Sequence, residues 1–258
     1  MPMNDSPCLE VSADGHVRTV LLNQPPHNFV NVASMAALAD TLHAFDEDAD
    51  CRAIVLGSVG KNFCAGADFS GVPGTGAMVD AEALYTQAMR LFRTRKPIVA
   101  AIQGAAIGAG AGLALVADFR VACNASRFSV NFNRLGFHPG FGLSCTLPRL
   151  VGQQQAARLF YLGERLDGER MVALGLADEL APDAEVLSRA QGLARDIALS
   201  APQAVQSTRE TLRLGLADEV ARCNAREAAI QRPQFASQDF LEGVKAAGER
   251  RSPLFTGH

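Results

Sequence analysis

The chain is expected to fold as an α/β domain whose final third is helical, and three observations carry that expectation. Short apolar runs such as Ile98–Ile102, entered by Pro97, have the composition of strands buried on both faces. Apolar residues at helical spacing, including Val32, Met35, Leu38, Ala39, Leu42 and Phe45, lie between such runs. Beyond Gly152 every recognisable segment has helical spacing. A chain of 258 residues with 48% hydrophobic content can bury one large core, or a core with a smaller appendage.

Residues 9–11 and Val17–Leu22 are β-prone runs flanking Asp14-Gly15, which signals a hairpin. Gln24-Pro-Pro-His-Asn28 is a stiff loop leading to the first helix. Residues 53–56 read as a short buried strand, and residues 57–76 form a glycine-rich loop long enough to suggest function. Asp80 is placed to cap a helix over 81–95, with Leu84, Ala88, Leu91 and Phe92 on one face. Ile98–Ile102 then enters an elbow where Gly104, Gly108, Gly110 and Gly112 remove side chains, followed by a helix. The first amides of that helix lack intrahelical acceptors and carry the positive end of its dipole, which suits an anion or a developing oxyanion. Phe119–Cys123 and residues 128–130 read as strands, and Gly136-Phe-His-Pro-Gly140 as a turn into a helix near Leu143. Residues 153–162, 168–174, 184–199, 202–214, 216–231 and 238–247 read as helices.

The net charge of -3 and pI near 6.0 give no reason to expect nucleic acid or a membrane as partner. Between residues 83 and 163, however, Asp118 is the single carboxylate against nine basic side chains, a balance that suits either a phosphate-bearing ligand or a solvated basic face. Six cysteines without a Cys-x-x-Cys pair and five dispersed histidines give no metal motif. No secretory pattern occurs in residues 1–10 and no apolar run approaches membrane-spanning length, so a cytoplasmic protein with reduced thiols is expected.

The elbow glycines do not make a dinucleotide fingerprint, because Leu113 stands where a third glycine would follow Gly108 and Gly110. No P-loop Gly-Lys-Ser/Thr occurs either. The glycines make chemical sense as two segments taken together. Phe63-Cys-Ala-Gly-Ala-Asp68 ends a loop after one strand, and Gly108-Ala-Gly110 opens a helix after another. Each can offer one backbone N–H to the same carbonyl oxygen.

Phe63-Cys-Ala-Gly-Ala-Asp68 and Ala101-Ile-Gln-Gly-Ala-Ala-Ile-Gly-Ala-Gly110 resemble the two signature segments of the crotonase (enoyl-CoA hydratase/isomerase) superfamily. Asn23-Gln-Pro-Pro-His-Asn28 resembles its opening loop, and Leu135-Gly-Phe-His-Pro-Gly140 its central turn. Phe240-Leu-Glu-Gly-Val-Lys245 and Arg251-Ser-Pro-Leu-Phe255 resemble its C-terminal tail, so the likeness covers nearly the whole chain. The resemblance implies a spiral of ββα units over residues 1–195 that binds acyl-CoA. A helical region over 196–258 is then expected to mediate a homotrimer, or a hexamer built as a dimer of trimers. Coenzyme A is implied as part of a thioester substrate, with no permanently bound cofactor. The thioester oxygen is expected between the amides of Ala67 and Ala109. His27, Asn28, Ala65, Ala67 and Asp68 are expected along the CoA, joined by Lys245 and Phe255 from this or a neighbouring subunit.

One departure from the family pattern redirects the functional reading. Family hydratases position water with two glutamates, and the corresponding residues here are Gly112 and Phe132. No other carboxylate lies between Phe119 and Gly163, so hydration by paired carboxylates is not assigned. The polar residues expected near the acyl group are Asn131, Asn133 and His138. His138 is the candidate acid/base, in a turn that carries an aspartate at or near the following positions in dehalogenase and naphthoate-synthase relatives; the other reading is a turn histidine bonded to backbone. Tyr85 and Ser144 read as helix-face packing and capping, and Cys64 and Cys145 as buried thiols rather than nucleophiles. Phe69, Met78, Met89, Phe132, Phe137 and Phe141 line an acyl pocket or belong to the core. The expected activity is that of an acyl-CoA isomerase, lyase or hydrolase, with a non-catalytic acyl-CoA-binding or hetero-oligomer subunit as the alternative.

Overall fold

Alternation along a strand sends successive side chains to opposite faces, and this fold buries both. The computed structural model describes residues 7–67 and 81–258; Asp68, Phe69, Met78 and Asp80 lie outside the described residues. In chain order the elements are β1 (Leu9–Asp14), β2 (Val17–Leu22), α1 (Val32–Glu47), β3 (Ala53–Ser58), α2 (Ala81–Leu91), β4 (Ile98–Ile102), β5 (Ala105–Ile107), α3 (Ala109–Ala114), β6 (Phe119–Cys123) and β7 (Arg127–Ser129). After a 3-10 turn (Asn131–Leu135) come α4 (Leu143–Leu162), α5 (Gly168–Ala173), β8 (Glu179–Ala181), α6 (Val186–Ala198), α7 (Pro202–Leu212), α8 (Leu216–Gln234) and α9 (Gln238–Gly248).

Six strands form one sheet in the order β1-β2-β3-β4-β6-β8. Pairing is antiparallel in the β1–β2 hairpin and parallel elsewhere. Val55, Val99, Ala101 and Val121 on one face pack with Val186, Ala190 and Ala194 of α6. Their sequence neighbours Ile54, Leu56, Ile98, Ala100 and Ile102 join the main core with Met35, Leu38, Leu84, Leu91 and Leu113. β5 and β7 form a second, two-stranded parallel sheet beside it.

Several local expectations need correction. β5 lies inside the glycine elbow, and β8 at the sheet edge interrupts the supposedly helical final third. Both have three residues, too few to display a period, and exist because β7 and β6 offer parallel edges. Helix α2 stops at Leu91 rather than at residue 95. There the Asp46 carboxylate accepts from the Arg95 and Lys96 amides, at 2.9 and 3.1 Å, and draws the chain toward β4. The helix expected near Leu143 continues to Leu162 through a non-helical joint at Gly152, φ 76°.

The basic stretch is largely neutralised by carboxylates from elsewhere in the chain. Arg90 pairs with Asp40, Arg93 with Asp218, Arg95 with Glu47, Arg120 with Asp178, Arg149 with Glu219 and Arg158 with Glu164. Its own carboxylate, Asp118, fastens α7 to the sheet. It accepts from the Ile98 amide (2.8 Å), Arg209 Nε (2.8 Å) and Arg213 Nη1 (2.9 Å). Residue 195, where the sequence reading ends the core, lies in the last turn of α6.

Candidate functional site

Two glycines allow the signature segments to meet. A Cβ on Gly104 would lie 2.0 Å from the Lys61 carbonyl oxygen, and one on Gly110 would lie 2.0 Å from that of Cys64. Residues 63–67 therefore run directly beside 103–107. The Phe63 and Cys64 amides donate to the Gln103 and Ala105 carbonyls at 2.7 and 2.8 Å, and the Ile107 amide donates back to Cys64 at 3.0 Å. Gly108, at φ 56°, caps α3 and gives its own N–H to Ser129 (2.9 Å), leaving Ala109 as the first helical residue. Among the described residues, neither the Ala67 nor the Ala109 amide has an acceptor. Both alanines line one cavity of about 820 Å³. The two N–H groups that the sequence singles out are thus brought to a common wall.

The other expected site residues divide. His27 and Ala65 line the same cavity, with Arg165 and with Arg127, which pairs with Ala105 at the start of β5. Ile107, Phe132, Phe137 and Tyr85 line it where β5 runs out toward α3. Asn28 is not on the wall. Its buried side chain accepts from the Gln24 amide (2.8 Å) and donates to the carbonyls of Val59 (2.9 Å) and Asn62 (2.7 Å), bracing the loop that carries His27. Lys245 and Phe255 are not among the lining residues; α9 contributes Val244, Ala247 and Gly248 instead. The tail folds back on α9, with the Leu254 amide on Glu242 and the Thr256 amide on Asp239. The Arg251 guanidinium beside Glu242 holds that carboxyl down at about 2.

His138 also stands away from the lining. Its Nδ1 lies 2.7 Å from the Pro139 carbonyl, so Nδ1 carries the proton and Nε2 remains the basic nitrogen. Three side chains from one face of α8, spaced i, i+4, i+7, hold this turn. Gln234 accepts from the His138 amide (2.7 Å), and Gln231 donates to the His138 carbonyl (2.8 Å). Glu227, almost fully buried, accepts from the amides of Gly142 (2.7 Å) and Ser144 (2.8 Å) and from Ser144 Oγ (2.5 Å). Burial pushes the Glu227 carboxyl above its ordinary range against the pull of those donors. Ser144 does not cap α4, whose N-cap is Gly142 without a side-chain cap; its amide and hydroxyl instead pair with a carboxylate more than eighty residues away.

Gly112 and Phe132 both have apolar surroundings. A Cβ on Gly112 would come within 2.5 Å of the Phe141 ring, which is fully buried against Tyr85 and Phe92. Phe132 lines the cavity and stacks edge-on with Phe137. Among the described residues the cavity lining contains no aspartate or glutamate. Tyr85, read from sequence as packing, is on the wall, and desolvation raises its phenol above the usual value. Burial likewise pushes the Cys64 and Cys145 thiols up to about 12, leaving both as poor nucleophiles. Among the described residues no group of three or more His, Cys, Asp or Glu is placed to hold a metal, and no helix is long and apolar enough to cross a membrane.

The fold is α/β, and its cavity is lined by residues of both glycine segments, Ala67 and Ala109 among them. A family described as "Enoyl-CoA hydratase/isomerase" matches residues 12–258. The "Probable enoyl-CoA hydratase" of Bacillus subtilis (strain 168) is 32% identical over 254 residues, covering 96% of this chain and 98% of the relative. The "1,2-epoxyphenylacetyl-CoA isomerase" of Escherichia coli (strain K12) is 34% identical over 258 residues, covering 93% and 95%. A crystal structure of an enoyl-CoA hydratase/isomerase from Pseudoalteromonas atlantica T6c superposes with a TM-score of 0.87 at 31% identity, covering 96% of this chain and all of that one. The chain belongs to the enoyl-CoA hydratase/isomerase family of the crotonase superfamily, a family of CoA-thioester enzymes.

Proposed function

We propose that this protein is an acyl-CoA thioester-processing enzyme that polarises the thioester carbonyl between the amides of Ala67 and Ala109. The observation that carries the reading is the presence, on one cavity wall, of two main-chain donors from separate elements, both without acceptors among the described residues. Reactions through an enolate or a tetrahedral anion place charge on the thioester oxygen, and preorganised N–H donors lower such barriers by about 3–4 kcal/mol each. Gly112 and Phe132 stand where hydratases carry glutamates, and the Phe141 ring occupies the space beside Gly112. The chemistry is therefore of isomerase, lyase or hydrolase type rather than ordinary hydration. His27, Ala65 and Ala67 contact the CoA, with Arg127 and Arg165 as added candidates for its phosphates. Asp68, Lys245 and Phe255 remain candidates beside them, and Asn28 acts through the loop it braces.

His138 is the candidate acid/base. Its support is the basic Nε2 left by the Pro139 contact, and its position off the cavity wall sets a limit on that role. The lack of any carboxylate among the described lining residues favours a second reading, a subunit that binds acyl-CoA without turning it over. Exposed Leu199, Leu212 and Leu214 in the helical region support association into a homotrimer or a dimer of trimers. Six free thiols, four of them buried, support a cytoplasmic location.

Deuterium exchange at the α-carbon of a panel of acyl-CoAs separates the two readings. Exchange or product formation that His138→Ala abolishes supports the enzyme with His138 in its assigned role. Binding without exchange or turnover supports the non-catalytic subunit. No binding of CoA or acyl-CoA at millimolar concentration contradicts both.

A further inference from the structure

Among the described residues Tyr85 supplies the one side-chain hydroxyl in the cavity lining, which also includes Ile107, Phe132 and Phe137. The residue is 3% exposed, and its ring meets Phe141 edge-on at 5.9 Å. A Cβ on Gly140 would lie 2.6 Å from both Tyr85 Cε2 and Gln231 Nε2, so glycine at 140 is what lets that pair come together. Gln231 hydrogen-bonds the Tyr85 oxygen through its amide nitrogen, since Gln231 Oε1 has no partner. The phenol oxygen therefore acts as acceptor, and among the described residues its proton has no acceptor. Burial, with the Glu227 carboxylate behind it, keeps the phenol protonated. A neutral donor in an apolar wall, oriented by an amide and lacking an acceptor, favours a ligand that brings one.

Building on the acyl-thioester reading, we propose that Tyr85 is a specificity-determining hydrogen-bond donor. It selects acyl groups that carry an oxygen acceptor beyond the thioester, such as a carbonyl, hydroxyl or epoxide oxygen, over unsubstituted alkyl groups. An alkyl chain of the same length fills the same volume but leaves the hydroxyl unpaired, which is the kind of mismatch a polar site discriminates best.

The test is calorimetric binding of hexanoyl-CoA against 3-oxohexanoyl-CoA and 5-oxohexanoyl-CoA, on wild-type protein and Tyr85→Phe. At least one oxo compound is expected to bind wild type about tenfold tighter than hexanoyl-CoA. Tyr85→Phe, which removes only the hydroxyl, is expected to erase that preference, with hexanoyl-CoA binding at least as tightly as it does to wild type. Equal affinities in wild type overturn the proposal, as does a preference that survives in Tyr85→Phe. If neither hexanoyl-CoA nor free CoA binds wild type, the acyl-thioester reading itself fails and takes this proposal with it. A folded Tyr85→Phe with an unchanged thermal melt excludes misfolding as the cause of a lost preference.

Discussion

Gly112→Ala adds a single methyl group where a hydratase would carry its glutamate, and its effect depends on one ring. In the middle of α3 the substitution by itself gains about 1 kcal/mol, because alanine loses less backbone entropy than glycine. In place, the new Cβ meets Phe141 Cδ1 and Cγ at 2.5 Å and Phe141 Cβ at 2.8 Å. The ring is fully buried and held by Tyr85 and Phe92, so it has nowhere to swing. Overpacking of this kind costs about 1–3 kcal/mol, so Gly112→Ala destabilises the wild type. Phe141 sits at φ 65°, which glycine adopts without strain, making Phe141→Gly the natural second background. That change alone costs about 3–5 kcal/mol of burial, partly offset by relief of the positive φ. In that background the clash is gone and Gly112→Ala stabilises by about 1 kcal/mol. The expected coupling is about 1–3 kcal/mol, read from urea denaturation midpoints of the four proteins at constant m. An equal effect of Gly112→Ala in both backgrounds refutes the claim that Phe141 fills the vacated carboxylate position.

Other outcomes follow from the same contacts. Asn28→Ala strands the Gln24 amide and the Val59 carbonyl, removes one of two donors to the Asn62 carbonyl, and leaves alanine at φ 49°. It is expected to cost about 2–4 kcal/mol and lower the melting temperature by roughly 5–15 °C; a loss below about 1 kcal/mol removes Asn28 as a brace. Burial raises the Glu227 carboxyl above its ordinary value in the folded protein, so the native state holds that proton more tightly than the unfolded chain. The stability of wild type relative to Glu227→Gln should therefore fall as pH rises from 4.5 through the raised folded value, and a difference that grows with pH contradicts the assignment. The Cys64 thiol, at about 12, should resist iodoacetamide in native protein at neutral pH, and rapid labelling found by peptide mass spectrometry refutes its inertness.

What was legible in the sequence was what short-range pattern encodes. The buried strands announce themselves because both faces of Ile98–Ile102 are covered, and Gly104 and Gly110 because backbone approaches backbone there. β5 and β8 were not legible, since three residues carry no period and their existence depends on neighbouring edges. Glu227, Gln231 and Gln234 lie more than eighty residues from the turn they hold. Their i, i+4, i+7 spacing is a recognisable signal of a polar helical face, but such a face ordinarily points to solvent, and only the packing of α8 on α4 turns it inward. That Gly112 and Phe132 are not carboxylates is plain in the sequence. That Phe141 occupies the space beside one of them, and that Tyr85 reaches the cavity wall, required the fold.

The claim at the centre of this account is that the Ala67 and Ala109 amides hold a thioester oxygen. Isotope-edited infrared spectroscopy of an acyl-CoA labelled with ¹³C at the thioester carbonyl addresses it without any assumption about the reaction. Two hydrogen bonds to the oxygen lengthen the C=O bond, so the carbonyl band of the bound ligand should move to lower frequency than that of the same ligand in water. A bound thioester whose band stays at its aqueous position, or moves up as in an apolar pocket, contradicts the assignment.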